Sequence, residues 1–111
     1  MAKVEQYRKI IQELLEAYSQ IKSSNEEVEA EVIFDREHDR YQLVHVGWSN
    51  KRRVYGCVLH LDIKNEKVWI QHDGTEGGIA DELTNHGVPK NDIVLAFHSP
   101  FKRKFTEFAV G

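Results

Sequence analysis

Apolar residues recur along the first part of the chain at the spacing of a helix. Gaps of three and four residues alternate along one set of apolar positions, which places their side chains on one stripe. These positions are Val4, Tyr7, Ile11, Leu14, Tyr18 and Ile21, and Ile10 and Leu15 widen the stripe. We therefore expect an amphipathic helix of about five turns. Ser23-Ser24-Asn25 follows with residues that favour a turn over a helix, so the helix is expected to end before them.

The middle of the chain has the composition of β-strands. Valine, isoleucine, leucine and aromatic residues dominate Tyr41 to Trp48, Arg53 to Ile63 and Lys67 to Asp73. The polar connections between them suggest a four-residue loop from Ser49 to Arg52 and a two-residue hairpin loop at Asn65-Glu66. The sequence therefore predicts an antiparallel meander.

Pairing through those loops predicts two different faces for the meander. Lys64 would pair with Lys67 and Trp48 with Arg53, which sets the register because side chains alternate between faces. The long helix is expected to cover the apolar face. That face would carry Val44, Val46, Tyr55, Cys57, Leu59, Leu61, Ile63, Val68 and Ile70, with Trp48 and His72 at its ends. The opposite, mixed face would carry Leu43, His45, Val54, Val58, His60, Asp62, Trp69, Gln71 and Asp73.

The segments that flank the meander predict shorter elements. An acidic run from Glu26 to Glu31 leads into Val32-Ile33-Phe34, which indicates the solvated start of a strand. After the meander, Ile79 to His86 is typical of a short helix, and Ile93 to Phe97 predicts another strand. Three aromatic residues are expected to anchor the tail: Phe101, Phe105 and Phe108.

A single α+β domain over residues 1–111 accommodates all of these elements. Its expected architecture is a long N-terminal helix packed on an antiparallel β-meander sheet, with a short second helix and a docked C-terminal segment. The length of 111 residues suits one domain, and 41% hydrophobic with 30% charged residues is typical of a globular protein.

Charge and cysteine content narrow the classes of protein that fit. The net charge of -3 lacks the overall positive field of a non-specific nucleic-acid binder, so any contact with DNA would be local. Cys57 is the only cysteine, which excludes an intrachain disulfide and fits a reducing compartment. No apolar run reaches membrane-spanning length, and Glu5 stands where a signal peptide would be apolar. We expect a cytoplasmic protein without membrane contact.

Six histidines raise the question of a metal site. None has the His-x-x-x-His or Glu-x-x-His spacing that gathers ligands on one helical face. In the predicted register His60 lies opposite Tyr41, which separates its ring from His45 by roughly 13 Å along the strands. We therefore expect no metal and no other cofactor.

The glycine-rich turn after the meander is the most chemically suggestive stretch. In His72-Asp73-Gly74-Thr75-Glu76-Gly77-Gly78, backbone N–H groups near a helix start would suit an anion. The turn matches neither phosphate-binding glycine motif, and Asp73 and Glu76 would repel a phosphate. The favoured interpretation is a strand-to-helix turn that Asp73 or Thr75 caps.

Candidate nucleophiles are equally weak. Cys57 falls on the predicted apolar face, where a thiol is usually inert packing. His98-Ser99-Pro100 lacks the glycines that flank a nucleophilic serine at a strand-to-helix elbow. The sequence therefore predicts no catalytic residues and a protein that is not an enzyme.

Two basic clusters are candidates for contact with DNA phosphates, each beside an aromatic residue. The first lies in the loop after Trp48 and the second follows Phe101. The residues are Lys51, Arg52, Arg53, Lys102, Arg103 and Lys104.

Long runs of the chain resemble one known family. The likeness begins in the meander, is strongest around the glycine-rich turn, and extends to the tail. Its segments are Tyr41–Trp48, Arg53–Asp62, Val68–Glu76, Gly78–Leu83, Gly87–Pro89, Asp92–Leu95 and Phe105–Val110. Over nearly its whole length the chain resembles the fdxN element excision controlling factor family, known as XisI-like.

The resemblance implies an accessory factor and supplies no catalytic residues. Family members are associated with the site-specific excision of a DNA element during heterocyst differentiation in cyanobacteria. That DNA recombination uses a separate site-specific recombinase and a partner called XisH. The expected function is therefore non-enzymatic binding of a XisH-like protein.

Two alternatives remain open at this point. One is direct DNA binding through the basic loop and tail, and the other is a ligand-binding or enzymatic role for the His72-Asp73-Gly74-Thr75 turn. The oligomeric state is also open, a homo-oligomer included. The candidate surface for a partner or ligand comprises His45, His60, Trp69, Gln71, His72, Asp73 and Thr75.

Overall fold

The computed structural model describes residues 2–21 and 27–111. The predicted turn at Ser23-Ser24-Asn25 therefore lies outside the described residues. The helices are α1 (Ala2–Ser19), α2 (Ile79–Asn85) and α3 (Pro100–Arg103), with a short 3₁₀ turn at Lys90–Asp92. The strands are β1 (Val28–Asp35), β2 (Arg40–Ser49), β3 (Arg52–Lys64), β4 (Lys67–Asp73) and β5 (Ile93–Leu95).

The five strands form one sheet in the order of the chain. The first four are antiparallel neighbours, which confirms the meander, and β5 joins β4 in parallel after α2. Asn65 and Glu66 both have positive φ, as the predicted two-residue hairpin turn requires. The predicted four-residue loop is wrong because Ser49 pairs with Arg52, which leaves only Asn50 and Lys51 between the strands.

The first helix covers one face of the sheet, which we call the inner face. Its buried residues are Tyr7, Ile10, Ile11, Leu14 and Leu15. They pack in one core with β2, β3 and β4 residues and with Ile79 and Leu83 of α2. The predicted stripe extends too far, because α1 ends at Ser19 and Ile21 is 68% exposed.

Two β-bulges overturn the predicted register. The predicted pairs Lys64–Lys67 and Trp48–Arg53 are present. However, the β2–β3 register shifts at Val58, and the β3–β4 register shifts at Gln71. Each bulge adds one residue to one strand, so side chains beyond it exchange faces relative to the partner strand.

The bulges redistribute the two predicted faces. Leu43 was expected on the mixed face but is 1% exposed in the core. Tyr55 and Cys57 were expected in the core, yet Tyr55 is 74% exposed and Cys57 is exposed too. Strand alternation places both on the outer face, which α1 does not cover. The predicted core positions that are confirmed are Leu59, Leu61, Ile63, Val68 and Ile70.

The C-terminal segment docks beside β5, as expected, but only one of its three predicted aromatic anchors packs against the core. Ala109 forms a parallel bridge with Val94, and its N–H donates to the Ile93 carbonyl at 2.8 Å. Phe108 packs against the core, whereas Phe101 and Phe105 are exposed and contact each other at 5.3 Å between ring centroids. Within residues 2–21 and 27–111, the helices lack the combined length and apolar character of a bilayer crossing.

Candidate functional site

The glycine-rich turn is held closed by Asp73. One carboxylate oxygen accepts hydrogen bonds from the Thr75 N–H at 2.9 Å and from the Thr75 hydroxyl at 2.6 Å. The other accepts from the N–H of Ile79, the first residue of α2, at 2.8 Å. The capping role predicted for Asp73 is confirmed, and the Thr75 hydroxyl is used inside the turn.

A close backbone contact fixes this turn against the β3 bulge. The Gly74 N–H donates to the Val58 carbonyl at 2.8 Å, and a Cβ at Gly74 would lie 3.1 Å from that oxygen. The glycine is therefore needed for close approach. Because these polar groups bond to one another, the turn is a structural connection, and we do not propose it as a ligand site.

The β4 bulge gathers polar side chains on the outer face. It places His60 directly opposite His72 and next to Asp62 along β3. His60 Nε2 lies 3.0 Å from Asp62 Oδ1, and the Gln71 amide donates to Asp62 Oδ2 at 3.3 Å. In the described part of the chain, no three His, Cys, Asp or Glu side chains are arranged to hold a metal ion.

His45 lies apart from that group, on the inner face. It pairs with Ala30 and Gly56, and together with Tyr18 and Thr75 it lines a groove of about 400 Å³. The seven candidate surface residues are therefore distributed over both sides of the sheet and do not form one surface. The expected position of His60 opposite Tyr41 is also wrong, since it pairs with Gln42.

Trp69 on the outer face is partly covered by basic side chains and by the tail. Its indole N–H donates to the Lys64 carbonyl at 3.0 Å, and Lys64 Nζ lies 4.6 Å from the ring centroid. The Arg103 guanidinium lies 5.5 Å from the same ring. Arg103 also donates to the carbonyls of His98 and Ala96 at 3.0 and 3.3 Å. These bonds make Arg103 a clamp between the tail and the sheet.

The two basic clusters do not converge on one surface. Lys51, Arg52 and Arg53 are exposed at the β2–β3 hairpin, where Arg53 lies 5.5 Å from the Trp48 ring. The tail cluster lies near Trp69, which pairs with Asp62 at the other end of β3. Nine residues of strand separate Arg53 from Asp62, a span of roughly 30 Å.

An apolar outer patch escaped the sequence prediction. Its members are the exposed Trp48 and Tyr55 on neighbouring strands, where Tyr55 pairs with Val46. Ile33 is also exposed on the outer face, but it lies roughly 13 Å further along β1, where it pairs with Gln42. The sequence does contain a signal for it. Leu43-Val44 and Val58-Leu59 are adjacent apolar pairs that break strict alternation, the mark of a bulge between two strands.

Two partly buried ion pairs were also missed. The Arg8 guanidinium donates to both oxygens of Asp39, at 2.6 and 2.9 Å, and it holds the pKa of that carboxyl below its ordinary value. In the second pair, burial opposes ionisation of Asp92, but hydrogen bonds from Tyr7 and Lys3 outweigh it and lower the pKa.

The fold and its polar groups define a class: a small α+β domain with a helix-backed, bulged meander, whose strongest polar contacts join elements of its own fold. A comparison with protein families identifies the particular one. Residues 1–110 match the family described as XisI protein, so the chain belongs to the XisI family.

Solved structures agree with this assignment. The crystal structure of a XisI-like protein from Anabaena variabilis is 39% identical, with a TM-score of 0.90, and covers 98% of this chain and 99% of its own. The structure of the fdxN element excision controlling factor XisI from Anabaena variabilis is 40% identical with a TM-score of 0.84. Its coverage is 98% of this chain and 99% of its own. A comparison with curated proteins finds no match.

Proposed function

We propose that this protein is an accessory factor for the site-specific excision of a DNA element of the fdxN type. The observation that carries the proposal is the full-length likeness to a structure named for that role, at 40% identity over 98% of the chain. On this proposal the protein acts without catalysis, by binding a XisH-like protein that works with a site-specific recombinase.

The distribution of polar groups supports a binding role. Asp73 caps α2, Arg8 joins α1 to the Asp39 turn, and Arg103 clamps the tail. These groups have partners within the fold. By contrast, Ile33, Trp48 and Tyr55 are exposed apolar side chains on the outer face, and such side chains favour contact with another protein.

Mixing experiments with purified proteins test the proposal. The tagged chain and an untagged XisH-like protein from the same organism are expected to co-elute at micromolar concentrations. In cells, a reporter interrupted by the DNA element should lose excision when this gene is deleted and regain it on complementation. A chain that neither binds the XisH-like protein nor affects excision would contradict the proposal.

Direct DNA contact is a second candidate, which the exposed hairpin cluster favours. Lys51 and Arg52 are exposed beside the Trp48–Arg53 pair, a geometry suited to a phosphate next to a base or sugar. A variant with Lys51, Arg52, Lys102 and Lys104 replaced by alanine tests it and leaves the Arg103 clamp intact. Retention on duplex DNA should weaken in the variant and fall steeply with salt. Equal retention of both proteins contradicts DNA contact through these clusters.

A further inference from the structure

The two edge strands of the sheet differ in whether another segment of the described chain pairs with them. At the β5 edge, the bridge between Val94 and Ala109 covers the strand. At the β1 edge, no backbone hydrogen bond within residues 2–21 and 27–111 reaches the outward side of Val28–Asp35. An uncovered edge of eight residues is a template for another strand.

The groups on this open edge follow from one hydrogen bond. The Glu27 carbonyl accepts from the Trp48 N–H at 3.3 Å, so it points towards β2. Backbone groups alternate along a strand, so those of the even-numbered residues point away from β2. The open edge therefore presents the N–H and C=O groups of Val28, Ala30, Val32 and Phe34.

The charges on β1 disfavour pairing with a second copy of the chain. The strand contains Glu29, Glu31 and Asp35 and no basic residue. An antiparallel, two-fold pair centred on Ala30 places Glu29 opposite Glu31, and one centred on Val32 places Glu29 opposite Asp35. Strand pairs centred on Glu29, Glu31 or Ile33 also place two acidic residues opposite each other. Like charges directly opposite destabilise a strand pair, so the edge selects against itself.

A groove runs along α1 and reaches the residue that follows β1. Residues of α1 and Arg36, which follows β1, line a space of about 640 Å³. Gln12 lines it too, and its buried side-chain nitrogen has no hydrogen-bond partner in the part of the chain that is described.

We propose that the open edge of β1 docks an extended segment of a partner protein in which basic and apolar residues alternate. The basic side chains would meet Glu29 and Glu31 on the outer face. The apolar ones would extend the half-buried inner row of Val28, Ala30 and Val32. The partner segment adds a strand by backbone hydrogen bonds, and charge complementarity selects it. The edge is thus the site at which the XisH-like protein of the proposed function would dock, and this inference rests on that proposed function.

A peptide assay tests the chemistry of the edge. The probe is a labelled peptide that alternates valine and lysine over the length of β1, and its control alternates valine and glutamate. Fluorescence anisotropy should show binding of the first peptide only. The double variant Glu29→Lys/Glu31→Lys should weaken it about tenfold, since two attractive pairs become repulsive. The matched control Glu66→Lys/Asp81→Lys has the same charge change on other exposed residues and should bind as the wild type does.

A backbone variant tests strand addition separately. Ala30→Pro removes an outward N–H, which an edge strand tolerates, whereas Ala30→Val keeps it. Only the proline variant should lose binding of the peptide. Urea denaturation curves check that both variants are folded. If the proline variant does not fold, the charge-reversal pair decides the question alone. Equal binding of both peptides, or of the wild type and Glu29→Lys/Glu31→Lys, overturns the edge proposal.

Binding of the XisH-like protein to the wild type and to Glu29→Lys/Glu31→Lys then distinguishes failure of the edge proposal from failure of the proposed function. A partner that binds the wild type and is lost with Glu29→Lys/Glu31→Lys supports both. A partner that binds both proteins equally overturns the edge proposal and leaves the proposed function standing. A partner that does not bind the wild type contradicts the proposed function, and the peptide assay still decides the chemistry of the edge.

Discussion

Asp39 joins three elements, which makes it a sensitive probe of the fold. Its carboxylate accepts two hydrogen bonds from the Arg8 guanidinium of α1 and one from the Tyr41 hydroxyl of β2. Its backbone carbonyl accepts a hydrogen bond from the Ile63 N–H of β3 at 2.9 Å. Asp39 also has a φ of 56°, a conformation that asparagine accepts. Asp39→Asn therefore removes the charge while it keeps the shape and the backbone.

We expect Asp39→Asn to lower the free energy of unfolding by about 2 kcal/mol at neutral pH. The reason is that the partly buried Arg8 guanidinium loses a charged acceptor to which it donates two hydrogen bonds. For a domain of this size, 2 kcal/mol corresponds to a fall in Tm of about 8 °C. Differential scanning calorimetry measures the fall, and Glu37→Gln, an exposed substitution in the same turn, serves as the control with little change.

The pH dependence gives a sharper test of the same reasoning. Arg8 lowers the pKa of Asp39 from its ordinary value of 3.8, so the folded state binds a proton less readily than the unfolded state. The stabilisation is therefore complete above about pH 5 and is lost as the pH falls through the folded pKa. The difference between wild type and Asp39→Asn should narrow below pH 3.8. A difference that stays constant in acid, or a fall in Tm of less than about 2 °C at neutral pH, would refute an ionic role for Asp39.

Three further predictions follow from local geometry. Gly47→Ala should destabilise the fold by about 3 kcal/mol in urea denaturation, because its Cβ would lie 2.1 Å from the Glu27 carbonyl oxygen; Gly56→Ala, with open space around it, should be nearly neutral. Asp73→Ala should cost about 2 kcal/mol, since it leaves the Ile79 N–H and the Thr75 N–H without their acceptor. Cys57 should react with maleimide in the folded protein, but more slowly than a free thiol, because burial raises its pKa; no reaction under native conditions would contradict the bulge at Val58.

Local patterns predicted α1, α2 and the Asn65-Glu66 hairpin. The α1 stripe follows from a spacing that neighbouring turns of one helix impose, and the Asn65-Glu66 loop follows from the backbone preferences of its own residues. Asp73 could be recognised as a cap because the groups that donate to its carboxylate lie within six residues along the chain. In each case the physical cause lies within a few residues along the chain.

The bulges and the buried pairs have causes that are distant in sequence. Whether Val58 pairs or bulges depends on how β2 and β3 together pack beneath α1, so extrapolation from the hairpin turns failed. Arg8 and Asp39 are 31 residues apart, and Tyr7 and Asp92 are 85 apart. No spacing rule joins such residues, and the predicted partner surface was divided between two faces for the same reason.

The C-terminal tail covers only one half of the outer face of the sheet. The tail covers β5 and part of Trp69, so that half of the outer face is occupied by the chain itself. The Val58 bulge turns Tyr55 and Cys57 outward on the other half, which also carries the exposed Ile33 on the edge strand β1. An added strand at β1 would therefore extend the half of the sheet that the tail leaves uncovered. Ile33 lies on β1 itself, two residues after Glu31 and on the same face, so substitutions at Ile33 should weaken partner binding together with those at Glu29 and Glu31.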